Sequence, residues 1–129
     1  MGEPMSEYTC LVLSLIMWFV HVLAQAAFAG GALGMDYLAS SRDDPRDPSG
    51  NLYPRATRAL HNYIENFAPF AAADLGLIAT GHTGGWGATI WVLMRIIYLP
   101  LYLMGVNPGR SIAWGLSLVG LIMMIWRLA

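Results

Sequence analysis

The sequence predicts an all-α integral membrane protein: four helices running up-down-up-down in one bundle, forming a single domain over residues 1–129. Three observations predict it. Of 129 residues, 57% are hydrophobic and only 12% charged, and the mean hydropathy is +0.52, a balance suited to a polytopic membrane protein rather than a small soluble domain. The apolar residues fall into four segments, each near the roughly 20 residues that a spanning helix needs. One longer polar loop and two short Gly- or Pro-containing turns join them, which favours antiparallel neighbours.

The first segment covers about residues 7–39. Its apolar core from Cys10 to Met35 is broken only by His21, Gln25 and a few small residues. Ser14, His21, Gln25, Ala32 and Asp36 share one side of that helix. Gly30-Gly31-Ala32-Leu33-Gly34 contains a Gly-xxx-Gly pair, which lets membrane helices approach closely or loosens a helix near its end. Ser40 to Pro54, with prolines, a glycine and five charges, reads as a water-facing loop. The second helix covers about residues 54–80, with Pro54 suited to its first turn and a kink expected at Pro69. Gly81-His82-Thr83-Gly84-Gly85 is a tight turn, followed by a third helix at about 86–104. The turn Gly105 to Gly109 leads to the fourth at about 109–127.

Composition also excludes. The net charge is −1, all seven basic residues are arginine, and Cys10 stands alone. No attraction to nucleic acid, no intrachain disulfide and no zinc spacing follow from these numbers. Met1 to Tyr8 lacks the positive start of a cleaved signal peptide, so the first apolar segment is expected to be retained. Arg42, Arg46, Arg55, Arg58 and Arg110 lie at the side of the first and third loops. The positive-inside rule therefore places those loops in the cytoplasm and both termini on the opposite side.

One stretch is chemically out of place. At 100° per residue, Arg58, Asn62, Glu65 and Pro69 fall within a sector about 60° wide, and Asp74 points the opposite way. Charged side chains cost about 2.5–3.5 kcal/mol each beside hydrocarbon. This row is therefore expected to face a protein interior or a polar pocket opening toward the cytoplasm. Trp91, Arg95, Tyr98 and Tyr102 form a similar sector on the third helix. A purely structural reading competes: Arg58–Glu65 and Arg95–Asp74 could neutralise one another across packed helices, and Tyr98 and Tyr102 could anchor the interface. His21 with Gln25 could hint at a haem or metal ligand. A lone histidine in an apolar helix is more often hydrogen-bonded to a neighbour, and no metal site is expected.

The run Arg58-Ala59-x-x-Asn62-x-x-Glu65-Asn66-x-x-Pro69-Phe70 resembles the second-helix signature of the MAPEG family, the membrane proteins that include microsomal glutathione transferase and leukotriene-C synthase. Arg95-Ile96-Ile97-Tyr98-Leu99-Pro100-Leu101-Tyr102 is similar to the family's third-helix run, and Arg110 follows after a short Pro-containing turn. The resemblance implies a homotrimer in a membrane, a bacterial inner membrane being the expected location, with sites between adjacent subunits and glutathione as co-substrate. Arg58, Asn62 and Glu65 match positions that hold the glutathione backbone, Arg95, Tyr98 and Tyr102 match positions lining the same site, and Arg110 is the candidate for the thiol-activating arginine. Arg42 is a candidate stand-in for a further helix-one arginine. The implied activity is a glutathione transferase or peroxidase acting on hydrophobic small molecules dissolved in the lipid. The alternative is a non-catalytic scaffold or an accessory subunit of a larger membrane complex, which the short, Asp-rich first loop favours.

Overall fold

The computed structural model describes residues 2–129, and all regular structure among them is helical. The first helix, α1, spans Glu7–Leu33. Ser6 opens it, its hydroxyl accepting from the Thr9 amide at 3.1 Å, which satisfies one of the free N–H groups of the first turn. The expected continuous helix to residue 39 is corrected here. Gly34, at φ +89°, breaks it, and a single turn, α2 (Met35–Leu38), follows. Only glycine takes that backbone conformation readily.

The loop carries α2 to α3 (Leu52–Thr80), which starts two residues earlier than expected and remains helical through Pro69. Gly81, at φ +73°, closes it in the left-handed conformation typical of a helix end. Then come α4 (Gly87–Met104), with Pro100 inside, and α5 (Asn107–Leu128), with Pro108 in its first turn. Helices α1, α4 and α5 are long and apolar enough to cross a membrane. Helix α3 is 29 residues long, but Arg55, Arg58, Glu65 and Asp74 leave it more polar than the other three.

The long helices pair as α1 with α3 and α4 with α5; α3 and α4 touch across the middle, whereas α1 and α5 do not meet. The α4–α5 seam is the tightest. A Cβ placed on Gly87 would lie 2.6 Å from the Gly120 carbonyl oxygen, so both positions need glycine for the backbones to come this close. Between α1, α3 and α4 lies a stack of fully buried rings. Phe70 and Trp91 are stacked with centroids 3.9 Å apart, and His21 lies on Tyr63 at 4.4 Å. The Tyr63 hydroxyl donates to the Ser14 carbonyl, tying α3 to α1.

The turn after α3 is pinned from both chain ends. Glu7 accepts from the Gly84 amide at 3.0 Å, and Arg127 donates to the carbonyls of His82 (2.9 Å) and Thr83 (2.8 Å). Those contacts place the start of α1 and the end of α5 at one end of the molecule. Arg58, Tyr102 and Arg110 lie at the other.

Candidate functional site

The seven arginines divide by what their guanidinium groups hold. Four are engaged by backbone carbonyls at helix ends, where the last C=O groups lack helical partners. Arg46 donates to Leu33 at 2.7 Å, Arg42 to Leu38 at 2.9 Å, Arg55 to Leu103 at 3.1 Å, and Arg127 to the turn after α3. Arg42 is thereby tied to the polar loop, and nothing brings it to the residues described next.

Arg58, Arg95 and Arg110 converge on Tyr98, Tyr102 and Asn62. Arg95 is fully buried; its Nη1 donates to the Asn62 Oδ1 at 2.8 Å. Its guanidinium carbon lies 4.3 Å from the Tyr98 ring centre and 5.3 Å from that of Tyr63, within cation–π range. Its Nε and Nη2 have no hydrogen-bond partner. Arg58 donates from Nε to the Tyr102 hydroxyl at 3.2 Å. Arg110 stands 4.5 Å over the Tyr102 ring, its buried Nε also without a partner. Tyr98 and Tyr102, one helical turn apart on α4, have ring centres 5.5 Å apart and so fix the spacing of Arg95 and Arg110. Asn62, Tyr98, Arg110, Ser111 and Trp114 line an open cleft of about 210 Å³.

No carboxylate pairs with these three cations. Among the described residues the one ion pair is Arg46–Asp36, at 3.7 Å in the loop. The competing reading, with Arg58–Glu65 and Arg95–Asp74 neutralising each other, therefore finds no support. Asp74 is fully buried with neither oxygen hydrogen-bonded, but it lies twelve residues from Asn62, about 18 Å along α3 at 1.5 Å per residue.

The row on α3 does not face as expected. Arg58, Glu65 and Pro69 are exposed on the surface of the chain, and only Asn62 turns half inward. A 3.6-residue period groups these side chains correctly, yet it cannot say whether their sector looks into this chain or out of it. Glu65 thus stands outside the cleft.

Three participants escape sequence reasoning. Tyr63 supports Arg95 from the side facing away from the row, and a single tyrosine beside Asn62 carries no periodic signal. Ser111 and Trp114 line the cleft; Trp114, four residues after Arg110 on one helix face, is the one that spacing could have revealed. His21 has one ring nitrogen engaged and the other, Nε2, buried without a partner. Its Nδ1 bonds the Met17 carbonyl at 2.7 Å, which requires that nitrogen to carry the proton. Among the described residues no group of three or more His, Cys, Asp or Glu side chains could hold a metal ion.

No characterised protein and no solved structure matches the chain. A family model does: that of the MAPEG family, over residues 7–129, which takes in every helix and every residue of the cationic cluster. With nearly the whole sequence matched, the chain belongs to the MAPEG family.

Proposed function

We propose that the protein is a membrane-embedded, glutathione-dependent transferase or peroxidase acting on hydrophobic electrophiles. The observation that carries this reading is the set of three guanidinium groups, Arg58, Arg95 and Arg110, gathered around two tyrosines with no carboxylate partner. A buried cation such as Arg95 without a counter-charge is expensive unless an anion completes it. Glutathione brings two carboxylates and an ionisable thiol. Arg58 and Arg95 receive the carboxylates in bidentate fashion, Asn62 orients Arg95, and Glu65, outside the cleft of its own chain, receives the ammonium group where a second copy covers the row. Tyr98 and Tyr102 line the peptide.

Arg110 takes the sulfur. A guanidinium beside a thiol favours the thiolate, drawing its pKa from about 8.5 toward neutrality, and the proton leaves to solvent. The sulfur then bonds to an electrophilic carbon of a lipid-dissolved substrate, whose bonding electron pair leaves with the displaced group or passes to the neighbouring atom. With a hydroperoxide, the thiolate attacks the outer oxygen, the O–O electron pair leaves as an alkoxide that takes a proton from solvent, and a second glutathione converts the resulting sulfenic acid to the disulfide and water. No side chain of the protein forms a covalent bond.

The outward-facing Arg58, Glu65 and Pro69 support assembly as a homotrimer, in which a second copy covers the row and shares the site. Left against hydrocarbon, the two charges would cost about 2.5–3.5 kcal/mol each. In this arrangement all four long helices cross a bacterial inner membrane as one bundle, up-down-up-down, with the site at the cytoplasmic face and lipid around the rim.

Calorimetry on the detergent-purified protein tests the reading, with glutathione and its diethyl ester, in which both carboxylates are blocked. Glutathione is expected to bind, and the ester at least about tenfold more weakly, the loss of one charge-assisted contact or more. No heat with either ligand would contradict the enzyme and favour the non-catalytic scaffold or accessory subunit.

A further inference from the structure

A second, larger cleft lies at the end of the molecule away from the arginine cluster. It has a volume of about 740 Å³ and opens between the start of α4 and the end of α5. Leu77, Trp86, Ile122, Met123, Met124 and Trp126 give it apolar walls. The two helices are locked together at Gly87 and Gly120, and because α4 begins at Gly87 while α5 runs on to Leu128, the cleft lies where the seam ends.

Only two charged residues line it. Glu7 is 2% exposed, and both its oxygens face the Gly84 amide, at 3.0 and 3.2 Å. Arg127 stands exposed at the rim. Its Nε and Nη2 are fixed by the carbonyls of His82 and Thr83, while Nη1 donates to no described residue. Gly85 leaves the room: a Cβ there would come within 3.0 Å of the Arg127 Cδ. The cation is therefore held in one orientation, with free donors turned away from the backbone. Trp126, 85% exposed, and Trp86 flank it, the residue type enriched where membrane meets water.

We propose that this cleft binds one membrane phospholipid, its phosphate on Arg127 and one acyl chain along Met123 and Trp126. Charge complementarity selects the occupant. A fixed guanidinium with free N–H donors fits a phosphate oxygen, flexible methionines adapt to an acyl chain, and the buried Glu7 carboxylate keeps the headgroup at the rim rather than on the floor. The site is separate from the arginine cluster and does not depend on its reaction.

Native mass spectrometry of the delipidated, detergent-purified protein tests this, with phosphatidylglycerol, phosphatidylethanolamine and phosphate-free diacylglycerol as probes. Either phospholipid is expected to bind at one per chain, and diacylglycerol about tenfold more weakly, the loss of one charge-assisted contact. Arg127→Ala should lose the preference for phosphate. Because Arg127→Ala also releases the turn, Met123→Trp serves as a second variant: it fills the cleft, leaves the clamp intact, and should reduce binding of all three lipids. Equal binding of diacylglycerol and phospholipid, occupancy unchanged in both variants, or no retained lipid because a second copy covers the cleft would each overturn the proposal.

Discussion

The two ends of the molecule hold their ionisable side chains in unlike surroundings. Around Tyr98 and Tyr102, three arginines sit without a carboxylate; toward the far end, Asp74 is buried without a cation. A protein that used its charges only as packing glue would bring Arg95 and Asp74 together, since buried membrane charges pair. Here they do not meet: Arg95 bonds Asn62, which lies twelve residues, about 18 Å, from Asp74 along α3. The other buried carboxylate, Glu7, shows what a structural acid looks like: both oxygens face a backbone amide in a turn that Arg127 pins as well. The difference separates an ionisable side chain satisfied inside this chain, Glu7, from those that are not, Asp74 and Arg95.

Substitutions can break this comparison, and their expected effects fall in size from one to the next. Arg95→Met should remove glutathione binding by about a hundredfold, near 3 kcal/mol for a buried charge-assisted contact, measured by calorimetry. The unfolding temperature in detergent should fall by much less, because the cation has no ion-pair partner to abandon, only the Asn62 hydrogen bond and the Tyr63 and Tyr98 rings. A fall in stability as large as the fall in affinity would make Arg95 a packing residue.

Asp74→Asn should act the other way. Removing a buried charge that makes no hydrogen bond is expected to stabilise the fold by about 1–3 kcal/mol, read from thermal unfolding, with glutathione affinity unchanged. Destabilisation would show that the carboxylate has a partner, and the two ends would then be alike. Asn62→Ala leaves Arg95 without its one hydrogen bond and should weaken binding by about tenfold, or 1.4 kcal/mol. Tyr102→Phe removes only the hydroxyl that receives Arg58 at an exposed position, so a loss of about two- to fivefold is expected, 0.5–1 kcal/mol.

Much of this was legible in the sequence, and the rest was not for definite reasons. Long apolar runs between polar loops locate α1, α3, α4 and α5 to within a few residues, because membrane-length helices leave the strongest pattern a sequence can carry. The break at Gly34 was visible only as a glycine-rich stretch. Asp74 was read correctly as facing away from Arg58, since both lie on one regular helix. The outward direction of Arg58 and Glu65 was not readable, because it depends on where α1 and α4 pack. The destinations of Arg42, Arg46, Arg55 and Arg127 were equally hidden: they bind backbone carbonyls, which every residue offers. The three arginines of the cluster were singled out by spacing and resemblance, while Tyr63 and its bond to Ser14 emerged only from packing.

The most direct measurement is the ultraviolet difference spectrum of bound glutathione near the thiolate band, at neutral pH, for the parent protein, Arg110→Ala and Arg110→Lys. The cationic cluster predicts a thiolate signal in the parent, its loss in Arg110→Ala despite continued binding, and partial return in Arg110→Lys. A thiolate signal of equal size in all three proteins would contradict the assignment of Arg110. Its absence from the parent would contradict thiol activation by this cluster altogether.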